Sequence, residues 1–224
     1  MRIVLFELFG IQIKSYGLMI AIGIIVAASI FINKGKKRGY DEDSLLNLII
    51  CAVIGGVFGG KALFIVTEIK DIIKDPSILL NFGYGFVIYG AIGGGALAMY
   101  LYCRRKKWNI IEMLDMTVPG LAIAQGLGIH LHPTQIYSSI FDFALGFFLL
   151  YYGRKQKANG KVMGMYLVIY SVGRFLVEYL RNDPRGNVGL LSTSQFIAIF
   201  TLVLGIIIFN LSKFFKGEKK SIES

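Results

Sequence analysis

The chain has 224 residues, 55% of them hydrophobic and only 17% charged, with a mean hydropathy of +0.63. A soluble domain carries nearer a quarter charged residues, so the composition excludes a water-soluble globular protein and predicts a polytopic membrane protein. The net charge of +10 does not call for nucleic acid, because lysines and arginines cluster in short stretches between apolar segments.

Residues 1–14 hold Glu7 inside an apolar run and are followed by no small-residue cleavage site, so they are expected as an outer interfacial segment, not a cleaved leader. Seven apolar segments follow, each read as a helix by its length: 15–33, 44–67, 85–103, 111–126, 133–152, 162–179 and 193–212. The fourth is short, and Pro119 with Gly120 predicts a kinked or partly re-entrant helix there. The connection 68–83 is expected on the membrane surface as an amphipathic piece. Residues 213–224 form a basic tail suited to anionic lipid. No soluble domain or internal repeat stands out, so 1–224 is expected as a single all-α integral membrane domain.

Loop charge sets an expected orientation. Basic residues follow the first segment (Lys34, Lys36, Lys37, Arg38), the third (Arg104, Arg105, Lys106, Lys107), the fifth (Arg154, Lys155, Lys157, Lys161) and the seventh (Lys213, Lys216, Lys219, Lys220). These are 16 of the 24 basic residues. The positive-inside rule makes those loops cytoplasmic. The N-terminus is then outside and the C-terminus inside, which about seven transmembrane helices satisfy.

The stretch 170–186, YSVGRFLVEYLRNDPRG, begins inside the sixth segment and ends in a polar loop on the predicted outer side. Arg174, Glu178 and Arg181 fall at i, i+4 and i+7, on one helical face. Ionisable groups at membrane depth pair, face a wet cavity or bind something charged. Two arginines and one carboxylate leave net positive charge, and a planar guanidinium suits phosphate oxygens. The alternative is structural: an Arg174–Glu178 pair, with Arg181 snorkelling to the interface.

Other polar residues sit at the outer ends of segments: Tyr16, Lys61, Tyr89, His132, Gln135 and Tyr137. Together they predict a polar pocket at the outer leaflet. Tyr16 and Tyr89 also fit an aromatic belt, and Lys61, within its segment, calls for a charge partner. Glycines 55, 56, 59, 60 and 93–95 read as helix-packing surfaces. Cys51 and Cys103 offer no disulfide framework, and His130 with His132 makes only a weak metal signal.

The motifs KSYGLM, VIYGAIGGG, VPGLAIAQGLG, HPTQIYSS and YSVGRFLVEYLRNDPRG, in this order, resemble the prolipoprotein diacylglyceryl transferases. The likeness runs from about Tyr16 to Gln195; together the motifs are specific, and none suffices alone. It implies a seven-helix protein of the bacterial inner membrane, active toward the outer side. The implied reaction moves a diacylglyceryl group from phosphatidylglycerol to the lipobox cysteine of a prolipoprotein signal peptide, releasing glycerol phosphate. No metal or organic cofactor is implied. The chain departs from the family pattern after Gly128. There the family continues into an arginine-containing G-R-x-G-N/C-F motif and a further outer segment, whereas Ile129 to His132 lead almost at once into Pro133. Tyr89 also stands where many members have histidine.

In the implied chemistry a thiolate attacks a glycerol carbon and an anionic phosphate leaves, so cationic clamps are the main need. Arg174 is the expected phosphate clamp, with Lys61 assisting, Arg181 nearer the loop and Glu178 orienting the arginine. Tyr16 and Tyr89 are expected to hydrogen-bond lipid or peptide, Gln135 and Tyr137 to contact substrate, and His132 to offer a base. The alternative is a catalytically impaired member that binds phospholipid without turnover. A transporter is a third reading, for which no repeat or pair of broken helices speaks.

Overall fold

A computed structural model of the chain describes residues 4–8, 11–80, 85–128, 133–156, 158–179, 187–188 and 191–212. All seven predicted apolar segments are helices. The helices are α1 (Ser15–Lys36), α2 (Glu42–Thr67), the short α3 (Ile69–Lys74), α4 (Ile88–Lys106), α5 (Ile110–Leu127), α6 (Pro133–Lys155), α7 (Lys161–Tyr179) and α8 (Thr193–Leu211). A 3-10 turn at Pro76–Leu80 follows α3, so the connection after α2 is largely helical.

Two antiparallel hairpins were not anticipated. Strand β1 (Val4–Leu8) pairs with β2 (Ile11–Lys14) directly before α1, and β3 (Asn187–Val188) with β4 (Leu191–Ser192) before α8. Ser192 then opens α8 with a capping box: its hydroxyl accepts from Gln195 N and Gln195 Oε1 accepts from Ser192 N.

Among the described residues, five helices are long and apolar enough to cross a membrane: Gly17–Lys36, Glu42–Thr67, Ile110–Leu127, Ile136–Lys155 and Thr193–Leu211. Large apolar side chains stay exposed along them, including Ile25, Phe58, Ile140, Phe147 and Phe200, which only a lipid environment covers. The protein is an all-α, multi-pass membrane protein.

The chain divides into two compact units, Met1–Gly39 with Ile111–Ser224, and Tyr40–Ile110. In the second unit α2 and α4 meet backbone to backbone through the glycines. A methyl group on Gly59 would fall 2.8 Å from Gly94 Cα, and one on Gly55 would fall 2.7 Å from Gly94 O. Among lipid tails, such close approach is a main source of helix association. Tyr102 ties the other end by donating to Ser44 O at 3.0 Å, and Trp108 meets Tyr40 and Tyr102 edge-on.

The first unit has a core of Val118, Ala122, Leu145, Leu149, Val162, Tyr166 and Leu167, drawn from α5, α6 and α7. Helix α5 runs unbroken past Pro119, which is buried, so the re-entrant expectation for this segment is replaced by one continuous helix. Asp115 on α5 is 3% exposed and ties down the turn into α7. Its carboxylate accepts from Gly160 N and Met163 N, each at 2.7 Å. Gly160 sits at φ +92°, a conformation that β-carbon-bearing residues rarely adopt. The turn geometry, the missing β-carbon and the buried carboxylate thus fix where α7 starts.

Candidate functional site

Helix α7 carries Arg174 because the register set at Gly160 and Asp115 persists through two further ties. Tyr166 donates to Gln125 Oε1 at 3.0 Å, and Ser171 shares a hydrogen bond with Thr201 of α8 at 2.7 Å. Gly173 lets α6 come close, since a methyl group there would overlap the Phe141 ring. Tyr170, Gly173, Arg174 and Val177 recur at helical spacing and line one side of a small cavity. Ser138, Phe141 and Asp142 of α6 line the other. Its volume is about 20 Å³, room for one water molecule.

Asp142 was missed in the sequence. It faces Arg174 across this cavity, and the two charges act on each other. A carboxylate set in the apolar run SSIFDFALGFF is itself a signal, because such a charge is rare at membrane depth without a partner. Asp142 and Arg174 thus bring opposite charges from α6 and α7 to one small cavity that has room for a water.

Glu178 lies one turn beyond Arg174 on α7. Its Oε2 is buried and has no hydrogen-bond partner among the described residues. An orphaned carboxylate oxygen at this depth is costly and marks a place where a donor belongs.

Other predicted site residues are distributed as follows. Tyr137 is exposed, and its neighbour Ser138 lines the cavity instead. Tyr16 and Gln135 lie in the first turns of α1 and α6. His132 and Arg181 lie outside the described residues. In the second unit, Lys61 stands over the rings of Phe64 and Phe86, 5.3 and 5.6 Å from their centroids, and Tyr89 is exposed in the first turn of α4.

The family model described as "Prolipoprotein diacylglyceryl transferase" matches residues 3–129 and 127–211. The chain belongs to the prolipoprotein diacylglyceryl transferase family. It is 52% identical to the phosphatidylglycerol--prolipoprotein diacylglyceryl transferase 2 of Clostridium perfringens, covering 100% of both chains. A like-named protein of Clostridium tetani is 50% identical over 96% of this chain and 100% of its own. That of Clostridioides difficile is 33% identical over 91% and 92%. The alignment with the Clostridium perfringens protein is 256 positions long against 224 residues here, so this family member is shorter by internal gaps. The family match itself divides at 127–129.

Proposed function

We propose that this chain transfers a diacylglyceryl group from phosphatidylglycerol to the lipobox cysteine of a prolipoprotein. The cysteine sulfur forms a bond to the glycerol carbon that carries the phosphate. The carbon–oxygen bond to that phosphate breaks, glycerol phosphate leaves with the bonding electrons, and the thiol proton goes to a base or to water. The observation that supports the reading is that Arg174 and Asp142 line one small cavity in a membrane-spanning chain of this family.

The leaving phosphate is where negative charge accumulates, and a positioned guanidinium meets it with two parallel donors. Asp142 positions Arg174 from α6. Glu178, with its unpaired oxygen on the same helical face, takes a donor from Arg174 or from the incoming substrate. Tyr16, Lys61, Tyr89, Gln135, Tyr137 and Arg181 have substrate-holding roles, and His132 the role of base, on the strength of the motifs alone.

The basic loops orient the chain with its N-terminus outside and its C-terminus in the cytoplasm, through seven transmembrane helices. Helices α4 and α7 supply the two crossings beyond the five apolar ones. The enzyme then works at the outer face of the bacterial inner membrane.

The test is thioether formation. Purified full chain in nanodiscs containing phosphatidylglycerol is incubated with a lipobox peptide, and with its cysteine-to-serine counterpart. The cysteine peptide alone should gain the diacylglyceryl mass. Turnover should rise when the family's arginine-containing segment is inserted between Gly128 and Ile129. No product from either chain would reject the transferase reading.

A further inference from the structure

A second cavity of the first unit, larger than the one at Arg174, is away from it. It lies where the C-terminal ends of α1 and α6 meet the N-terminal parts of α5 and α7, and holds about 310 Å³, within the range of ligand pockets. Lys34, Lys37 and Arg38 reach it from α1 and the turn after it, Arg154 from α6, and Asn33 adds an amide. Lys34 extends across to α6, its Nζ 3.6 Å from where a methyl group on Gly153 would stand.

The carboxylates nearby have other duties. Asp115, the one acid lining the cavity, spends its oxygens on Gly160 N and Met163 N. Glu112 accepts from Arg38 at 3.0 Å. Four cations, from α1, the turn after it and α6, therefore share one concavity with Asp115, and with Glu112 pairing Arg38 the cluster keeps a net positive charge. Lys34, half-buried between α1 and α6, is repelled by Arg38 and Arg154 at this concavity, and an anion seated there relieves that repulsion.

We propose that this cavity binds a phosphate group, supplied by an anionic phospholipid of the adjoining leaflet. The lysines act as point charges on the phosphate, while Arg154 and Asn33 donate to its oxygens. A basic pocket between transmembrane helix ends, at headgroup level, is the arrangement expected for such lipids. In the orientation proposed above this is the cytoplasmic leaflet, opposite the transfer site. The site would thus tie the bundle to anionic lipid independently of catalysis.

The experiment uses the full chain in phosphatidylcholine nanodiscs, with phosphatidic acid titrated in and binding read by native mass spectrometry. Phosphatidic acid carries the phosphate without the glycerol headgroup of the donor lipid. Wild type should bind saturably, and more weakly when salt rises from about 0.15 to 0.5 M. Lys34→Gln with Arg154→Gln should weaken binding at least tenfold, whereas the exposed Arg105→Gln of α4 should leave it unchanged. If the double variant fails a thermal-unfolding check, Lys37→Gln, at an exposed position, replaces it and should weaken binding several-fold. A second arm adds inorganic phosphate. Competition would show that the phosphate alone is recognised; retained lipid binding that still depends on Lys34 and Arg154 would assign the site to the lipid. Equal binding by wild type and the pocket variants, or an equal loss in Arg105→Gln, would overturn the proposal.

Discussion

Asp142 and Arg174 face each other across a space no larger than a water molecule. Arginine stays protonated under any physiological condition, so the carboxylate opposite it compensates a fixed charge in a poorly hydrated place. Removing one member of such a pair leaves the other exposed to the full cost of desolvation. Asp142→Asn and Arg174→Gln should therefore each lower the thermal unfolding midpoint in detergent. The double variant should lose less than their sum, with a coupling on the order of 0.5–3 kcal/mol. Strictly additive losses would show that the two side chains do not act on each other. Arg174 and Glu178 were legible because helical spacing placed two charges on one face of an apolar segment. Asp142 was not, because its partner lies 32 positions away and its own neighbours are apolar. Only the close approach of α6 and α7 at Gly173 joins the two.

At the scale of elements, hydrophobic length alone located seven helices to within a few residues at most ends. The misses have physical causes. The hairpin of β1 and β2 carries an alternating pattern in IQIK, but four residues of alternation beside an apolar run are easily absorbed into a neighbouring helix. Pro119 and Gly120 suggested a kinked or partly re-entrant helix, yet α5, packed among α6 and α7, runs on past them as one helix. The glycines expected as packing surfaces divide in α2 and α4 into two kinds: Gly55, Gly56, Gly59, Gly60, Gly94 and Gly95 meet close neighbours, and Gly93 does not. Gly94 leaves no room for a methyl group, which would fall 2.8 Å from Gly59 Cα and closer still to Gly55 O, whereas Gly93 has nothing within 4 Å. Gly94→Ala should cost about 1–3 kcal/mol by overpacking, and Gly93→Ala should gain about 0.5–1 kcal/mol from helix propensity. Thermal unfolding of the two variants checks this; equal effects would contradict the close helix contact.

The start of α2 has a pH dependence of defined sign. Asp41 accepts from Ser44 N at 2.9 Å, and the hydrogen bonds from Ser44 hold its carboxyl below the usual carboxylate range. Because the folded value is depressed, its stabilisation of the helix end is complete at neutral pH. It is lost as pH falls through that lowered value, below about 3.9. Amide exchange in the first turn of α2 should quicken on such acidification, and Asp41→Asn, which keeps a capping oxygen, should remove the pH dependence. Unchanged exchange in the wild type would argue against the cap.

For the whole molecule, the basic residues sit at the ends of particular helices: Lys34 and Lys36 in the last turn of α1, Arg104 to Lys106 in that of α4, Arg154 and Lys155 in that of α6. These positions also suit the negative ends of the helix dipoles, so one set of residues serves both orientation and local stability. A tag at the N-terminus should be reachable from outside intact cells and one at the C-terminus only from the cytoplasm. Both tags on one side would reject seven crossings. Composition disclosed the membrane class, and the ordered motifs disclosed the family. The cavity at the basic end stayed hidden, because the sequence shows charges between segments without showing that they turn toward one another.

The central claim is that Arg174 grips the phosphate that leaves. The measurement is transfer of diacylglyceryl from phosphatidylglycerol to a lipobox peptide by wild type, Arg174→Lys and Arg174→Ala, each checked for intact helix content. A point charge cannot reproduce the bidentate fork, so Arg174→Lys should already be slower and Arg174→Ala slower still. Loss of one charge-assisted bond should cost on the order of 1.5–3 kcal/mol, roughly tenfold to a hundredfold in rate. Equal rates for all three chains would contradict the account.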